Sequence, residues 1–235
     1  MQNNSNLVSV VMSAYNSERT IAESIESILN QSYQNIEFLI IDDCSTDKTS
    51  EIIESYIEKN NNIKFIKNKI NLGLTKSLNI LIEKSSGQYI ARQDADDVSL
   101  HHRVQEQMKL LKSKNLDFCT TRAIIKDSMK LRPGVSSFLP KKVVLKFKNP
   151  FIHGTLLAKK TTITEIGNYD ENFYYAQDYK LFFDLLNYNY NFKVILKPQY
   201  ILNVKNNISE NKRMEQNYFA NCVRKKITPS KYLKG

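Results

Sequence analysis

The chain has no tryptophan, and its 235 residues include only three cysteines, three histidines, six glycines and five prolines. Cys44, Cys119 and Cys222 are odd in number, far apart and without a CxxC spacing. That argues against a disulfide framework and a cysteine-type zinc site, and for a reducing compartment. The few glycines form neither GxGxxG nor GxxxxGK[ST], so a dinucleotide oxidoreductase and a P-loop NTPase are unsupported. GxSxG and HExxH are missing as well. No window approaches the eighteen or so apolar residues of a membrane span, and MQNNSNLVSVVM has neither the basic n-region nor the long apolar h-region of a signal peptide. The expectation is a cytoplasmic protein, soluble or peripheral at the inner face of a membrane.

Acidic residues are also in short supply. Against 34 basic residues there are 24 acidic ones, a formal charge of +10, and only seven of the basic residues are arginine. A lysine-dominated excess in a chain rich in Asn and Ile fits a generic solvated surface. An anionic membrane surface or an acidic ligand would account for it too, and nucleic acid, which favours bidentate arginine, fits it least well. Hydrophobic content of 41% and charged content of 25% are ordinary globular values, so one compact folded unit is expected.

Short apolar runs carry the organisation. LVSVVM (7–12), IEFLIID (36–42), IKFI (63–66) and QYIAR (88–92) read as buried strands. Between them, apolar residues at helical spacing predict helices through Ile21, Ile25, Ile28 and Leu29, through Ile52, Ile53, Tyr56 and Ile57, and through Leu74, Leu78, Leu81 and Ile82. Asn16 or Ser17 would cap the first and Ser45 or Thr46 the second. This alternation predicts an α/β fold whose mostly parallel central sheet is flanked by helices, with ligands outside the carboxyl ends of the strands. Further on, a helix is expected through Val104, Met108 and Leu111, and another near Asp178 carrying Leu181, Phe182, Leu185 and Leu186. Strands are expected at LDFCTTRAII (116–125), FIHGTLLA (151–158), FKVIL (192–196) and QYILNV (199–204). Residues 1–205 are read as the main domain, with halves of about 1–98 and 99–205, and 206–235 as a basic helical tail.

The scarce acidic residues concentrate at one of these strand ends. In YIARQDADDVSL, Asp94, Asp96 and Asp97 fall within four residues, where like charges need a compensating cation or donors. If the backbone stays extended, Asp94 and Asp96 point the same way and suit Mn²⁺ or Mg²⁺, which share their coordination with phosphate and water. A solvated turn capping the next helix accounts for the same residues. Asp42 and Asp43 end the second strand in the same crevice, where a carboxylate can accept from a ribose hydroxyl or a base N–H, or can cap a helix. Tyr15 suits base stacking or an ordinary loop position. His153 is as consistent with a structural role as with an acceptor or diphosphate contact.

Taken together, VSVVMSAYNSERTIAESIESILNQSYQNIEFLIIDDCSTDKT, NLGLTKSLN, GQYIARQDADD, HGTLLAKK and GNYDENFYYAQDYKLFFDL resemble the inverting family 2 glycosyltransferases of the GT-A fold, in order, over about residues 7–209. The resemblance implies a nucleotide-sugar donor, UDP-linked for preference, a glycan or lipid-linked glycan acceptor in surface polysaccharide synthesis, and a Mn²⁺ or Mg²⁺ cofactor. It puts Ser13, Ala14, Tyr15, Asp43, Asp94 and Ala95 at the nucleotide sugar, and the metal on Asp96 with Asp94. The acidic pair that opens a helix and carries the catalytic base corresponds to Gln177-Asp178, which makes Asp178 the base. The lost neighbouring carboxylate bears on acceptor choice.

Two other departures follow. Leu78 stands where many relatives carry Arg, which shifts a phosphate or base contact to Lys76, and Asn203, Lys205 and Ser209 replace an Arg-x-His before a Ser, which offers Lys205 to the diphosphate. The basic tail is a candidate membrane contact or a helix packed on its own domain. A nucleotide-sugar-binding or nucleic-acid-binding protein without transfer activity is the rival reading.

Overall fold

The computed structural model describes residues 6–204 and 212–230. Strands β1 (Val8–Ala14), β2 (Ile36–Asp42), β3 (Ile63–Lys67) and β4 (Tyr89–Arg92) pair in parallel in the order β3-β2-β1-β4. Helices α1 (Ile21–Leu29), α2 (Thr49–Ile57) and α3 (Leu74–Lys84) connect them. The sheet then continues without a break into the second half of the chain. β8 (Leu157–Lys159) pairs antiparallel with β4, and is followed by β6 (Phe118–Ile125), β9 (Phe192–Leu202) and the two-residue β5 (Val98–Ser99), while β7 (Leu131–Arg132) pairs with β6. The long pairings, β1 with β2 and β4, β2 with β3, and β6 with β9, are parallel.

The near-continuous apolar strands follow from covering both faces of the sheet. Val8, Val10, Met12, Phe38 and Ile40 point to one side, against Ile21 and Ile25 of α1, Ile53 of α2, and Val104 and Met108 of α4 (Arg103–Ser113). Val11, Leu39 and Ile41 point to the other, against Leu78 and Leu81 of α3, Ile163 of α6 (Lys160–Glu165), and Leu181, Phe182 and Leu185 of α7 (Gln177–Asn187). Burial of each such side chain contributes about 1.5–3 kcal/mol. Phe219, Cys222 and Val223 of α8 (Arg213–Lys225) pack in the same second core, with Phe173 and Tyr175 edge-on to Phe219. The apolar stripe of α8, Met214 excepted, therefore packs on its own domain.

Several local expectations are corrected. Residues 151–156 do not run as a strand: His153–Thr155 form a 3₁₀ turn, held by Thr155 Oγ1 donating to the Ile152 carbonyl at 2.8 Å and accepting the Thr121 N–H at 3.1 Å. The two strands expected at 192–196 and 199–204 are the single β9, with a register irregularity where Pro198, which has no N–H to give the ladder, faces Arg122. Neither α1 nor α2 is capped by the expected side chains; Thr20 and Lys48 stand at their N-caps, and Asp47 accepts the Thr49 N–H at 3.0 Å.

One buried polar node ties the parallel half together at the amino ends of its strands. The Glu37 carboxylate on β2 accepts from Ser9 of β1, Lys64 of β3 and the backbone of Ser86 and Gly87 before β4. Burial pushes this carboxyl up, but the donors from Lys64, Ser9 and Ser86 outweigh it and hold it below the ordinary glutamate value. A depressed folded pKa stabilises the protein above the unfolded value, and that stability drains away as pH falls through the folded one. We expect Glu37→Gln to lose about 1–3 kcal/mol at neutral pH. The variant's urea midpoint should also vary less with pH below about 4.5 than the wild type's, as equilibrium denaturation series across that range would register.

Candidate active site

The carboxyl end of β4 is built around two buried guanidinium groups. Arg92, 1% exposed, donates through Nη1 to the Val11 carbonyl at 3.3 Å and to the Gln93 carbonyl, and through Nη2 to Asp94 Oδ1 at 2.6 Å. Arg103 of α4, fully buried, donates through Nη1 to the carbonyls of Arg92 and Gly154, both at 3.0 Å, and lies against the Tyr200 ring. Desolvation lowers its pKa to about 10, which still leaves it charged at neutral pH.

The acidic cluster is a turn rather than an extended segment, since the Asp97 N–H reaches back to the Asp94 carbonyl at 3.4 Å. Its three carboxylates are consequently sorted into three environments. Asp94 is paired with Arg92, and its N–H donates to Tyr200 Oη at 3.1 Å. Asp97 is buried, accepts the Asn203 N–H at 2.7 Å and a hydrogen bond from Tyr200; burial first, then the charges of Asp94 and Asp96, push its carboxyl well above the usual range. Asp96 is what remains. Burial, then Asp94, raise it to about 6, and the donor that counters them is its own backbone N–H. Because β5 intervenes and His102 stands at the N-cap of α4 without a side-chain cap bond, the cluster does not cap that helix.

A desolvated carboxylate without an external donor fits a hard divalent cation. Among the described residues no group of three or more His, Cys, Asp or Glu side chains could hold a metal unaided. An ion on Asp96 and Asp94 would thus draw its remaining oxygens from a bound anion and water.

Opposite the cluster in sequence, the 3₁₀ turn and α7 bring in further groups. His153 Nε2 and Tyr169 Oη share a hydrogen bond of 2.7 Å. Burial and then Arg92 lower His153 to about 4, so the ring is neutral at physiological pH, and burial raises Tyr169. Asp94 lies against the turn that carries His153, since a Cβ on Gly154 would come within 2.6 Å of Asp94 Oδ2. Asp178 is not the N-cap of α7. That position is Ala176, held at φ +54° in the left-handed region, an uncommon conformation for a residue with a Cβ and one that clusters at functional sites. Asp178 Oδ1 accepts the Tyr179 N–H and Oδ2 the Asn149 amide, both at 2.7 Å, and the Phe151 N–H holds Asn149 Oδ1 at 3.0 Å. The half-buried carboxylate is thereby aimed, and keeps lone pairs for a proton.

A second group lies at the ends of β1 and β2. Ser13 and Ala14 pair with Ile41 and Asp42, and Tyr15 beyond them is 50% exposed. Asp42 is buried, and its carboxylate accepts from Ser45 and Ser50. Asp43 is buried too, and its oxygens accept from Asn68 at 2.7 Å, the Leu72 N–H at 2.9 Å and the Gly73 N–H at 2.8 Å. It therefore shapes the 68–73 loop. At Gly73, φ +85° and a Tyr174 ring 2.6 Å from any added Cβ leave room for glycine alone. Because the Gly73 N–H donates to Asp43, the Tyr174 ring against Gly73 stands beside that carboxylate. Lys76 is exposed on the first turn of α3, Leu78 is core, and Ala95 is buried within the acidic turn. Lys205 and Ser209 lie outside the described residues.

Thus Asp94, with Asp96 two residues on, abuts the turn that carries His153, Asp178 is tied to the same stretch through Asn149, and Ser13, Ala14, Tyr15 and Asp43 lie at the ends of β1 and β2. Sequence reasoning missed Arg92, Asn149, Tyr169, Tyr174 and Tyr200. Only Arg92 left a signal, an arginine ending an otherwise apolar strand.

A parallel βαβ half whose strand ends carry an acidic turn, extended through an antiparallel strand into a second half on the same sheet, is the GT-A arrangement of a nucleotide-sugar transferase. Residues 9–182 match Glycosyl transferase family 2, and the chain belongs to that family. It is 39% identical over 165 residues to the putative glycosyltransferase EpsE of Bacillus subtilis, covering 69% of this chain and 59% of that protein. It is 34% identical over 112 residues to WfgD of Escherichia coli, a UDP-Glc:alpha-D-GlcNAc-diphosphoundecaprenol beta-1,3-glucosyltransferase, covering 48% and 44%. The chain thus spans about three fifths or less of the lengths of these two relatives.

Among solved structures, S. aureus TarS 1-349 in complex with UDP superposes with a TM-score of 0.72 at 20% identity, over 92% of this chain and 64% of that one. The mannosyltransferase PcManGT from Pyrobaculum calidifontis, in complex with GDP-Man and Mn²⁺, gives 0.71 at 18%, over 91% and 61%. At these identities the likeness is one of fold.

Gly154 is the point at which the site's packing is tightest. An added Cβ would meet Tyr200 Oη at 2.3 Å and Asp94 Oδ2 at 2.6 Å. Gly154→Ala is expected to destabilise by about 1–3 kcal/mol, as overpacking of a closed site does. It should also change the environment of Tyr200, measurable by differential scanning calorimetry and near-UV circular dichroism. An unchanged melting temperature would contradict this packing.

Proposed function

We propose that the chain transfers a sugar from a nucleoside-diphosphate donor, UDP-linked for preference, to a hydroxyl of a glycan or lipid-linked glycan acceptor, with inversion at the anomeric carbon. The observation that supports this reading is that the 149–155 stretch joins the two carboxylates: Gly154, next to His153, packs against Asp94, and Asn149, at the other end of the stretch, holds Asp178.

Asp178 takes the proton of the acceptor hydroxyl as its oxygen bonds to the anomeric carbon and the bond to the diphosphate breaks, the electron pair leaving with the diphosphate. One displacement inverts the centre. The Asn149 amide and the Tyr179 N–H orient the base, which keeps its reactive lone pair toward the acceptor. Neutral His153 and Tyr169 offer polar atoms without adding charge between the two carboxylates. Asp96, with Asp94 beside it, would hold a divalent cation, Mn²⁺ or Mg²⁺, which when bound supplies positive charge at the departing diphosphate. On the nucleoside side, Tyr15 and Tyr174 suit stacking on a base, Ser13, Ala14 and Ala95 border the donor, Lys76 serves as a phosphate contact, and Asp43 holds the loop that frames it. The UDP-bound and GDP-Man-bound neighbours of this fold and the lipid-diphosphate acceptor in the name of WfgD support the donor and acceptor classes.

A thermal-shift panel of UDP, GDP, CMP and dTDP sugars with and without Mn²⁺ should show stabilisation by UDP sugars that needs the ion, and Asp96→Asn should abolish it. Asp178→Asn should retain that stabilisation, while UDP release in the presence of acceptor falls by about 10²- to 10⁴-fold. Wild-type turnover in Asp178→Asn would remove the base assignment. Stabilisation by none of the nucleotide sugars would remove the donor class.

A further inference from the structure

Seven of the fifteen large apolar side chains exposed on the described residues fall between 129 and 147: Met129, Leu131, Val135, Phe138, Leu139, Val143 and Phe147. Phe147 is 71% exposed and Val135 83%. They occupy one connected excursion, from the β6–β7 hairpin through a 3₁₀ turn (Val135–Phe138) to the short helix α5 (Lys141–Val144). The excursion is locally well held. Lys141, itself buried, donates from Nζ to the carbonyls of Ser136, Ser137 and Leu139, which pins the turn to α5. Val144 and Leu145 pack into the core, and Tyr179 donates to the Leu145 carbonyl. A segment anchored on one side this firmly, with Phe138, Val143 and Phe147 turned to solvent on the other, presents its apolar groups as a surface rather than as a poorly formed core.

The charge on this surface is of one sign. Lys130, Arg132, Lys142, Lys146 and Lys148 are exposed among these apolar residues, with Asp127 the one acidic residue between 126 and 148. Arg224 at the end of α8 donates to the Phe147 carbonyl at 2.8 Å, which brings the basic run Arg224, Lys225 and Lys226 alongside. Aromatic and branched apolar tips interleaved with lysine are what an anionic bilayer surface recognises: the tips enter the headgroup boundary and the cations meet the lipid phosphates. A second copy of the chain is a poorer occupant, because it would set two basic faces against each other.

From this complementarity we infer that the 129–148 excursion docks the protein on the surface of an anionic lipid bilayer. Lys148 is followed directly by Asn149, whose amide holds Asp178, so the docked surface ends at the carboxylate to which an acceptor must come. The apolar face of α8 is buried on the domain, so that helix contributes charge rather than apolar side chains to this surface.

Flotation of the full chain with vesicles tests this without donor or acceptor, so its result is independent of the transfer reading. Binding is expected to phosphatidylglycerol-rich vesicles and not to pure phosphatidylcholine, and to weaken as salt rises. Phe138→Glu with Phe147→Glu, and separately Lys146→Gln with Lys148→Gln, should each lower the partition coefficient by about tenfold or more. Met214→Glu on α8 should leave it unchanged. All these side chains are exposed, and matching circular dichroism spectra and melting temperatures would establish that the variants fold. Equal vesicle binding by wild type and both double variants would overturn the assignment, as would no binding by wild type. So would a dimer in sedimentation velocity that the phenylalanine variant disperses while vesicles capture nothing.

Discussion

The site rests on two guanidinium groups taken entirely out of water. A buried guanidinium is costly unless its donors meet carbonyls or a carboxylate, so the Nη atoms of Arg92 and Arg103 gather particular backbone atoms around them, while Arg92 Nε and Arg103 Nε and Nη2 have no partner among the described residues. Arg92 collects the carbonyls of Val11 and Gln93 with the Asp94 carboxylate, and Arg103 collects the carbonyls of Arg92 and Gly154. Four segments distant in sequence, β1, β4, α4 and the 153–155 turn, are thereby fixed to one another around Asp94. Gly154 is glycine because that convergence leaves no volume for a Cβ.

The same constraint resolves how three carboxylates coexist within four residues. Coulomb repulsion among them is strong once burial lowers the local dielectric. The fold answers by giving each a different environment: a guanidinium for Asp94, a tyrosine hydroxyl and a backbone N–H for Asp97, and only its own backbone N–H for Asp96. The acid left without an external donor in the protein is the one suited to a cation. Chemistry and packing are divided along the chain in the same manner, with α3, α6, α7 and α8 sealing one face while the strand ends stay polar. The apolar excursion at 129–148 breaks this economy, for its residues are neither core nor crevice.

Strands β1 to β4, helices α1 to α3 and the start of α7 were legible because each signal is local. Short apolar runs, helical spacing and polar breaks are readable within a dozen residues. The motif order also carried the resemblance to family 2. What local patterning misjudged were places where distant groups overrule it. FIHGTLLA has the composition of a strand, yet Arg103 and Thr121 draw residues 153–155 into a turn. DADD has an alternation suited to an extended segment, yet Tyr200 and Asn203 bend it. Asn149, Tyr169 and Tyr174 carried no signal, because an ordinary polar or aromatic residue acquires a role only from what it faces.

The sequence by itself determined the parallel half of the sheet, the family, and the placement of acidic residues at strand ends, since periodicity and motif order are properties of neighbours along the chain. Only the tertiary structure decided which carboxylate is paired, which is buried and which stays open, that the tail's apolar face is covered and that of 129–148 is not. Those outcomes depend on desolvation and on contacts between residues tens of positions apart, and neither is written in any local stretch of sequence.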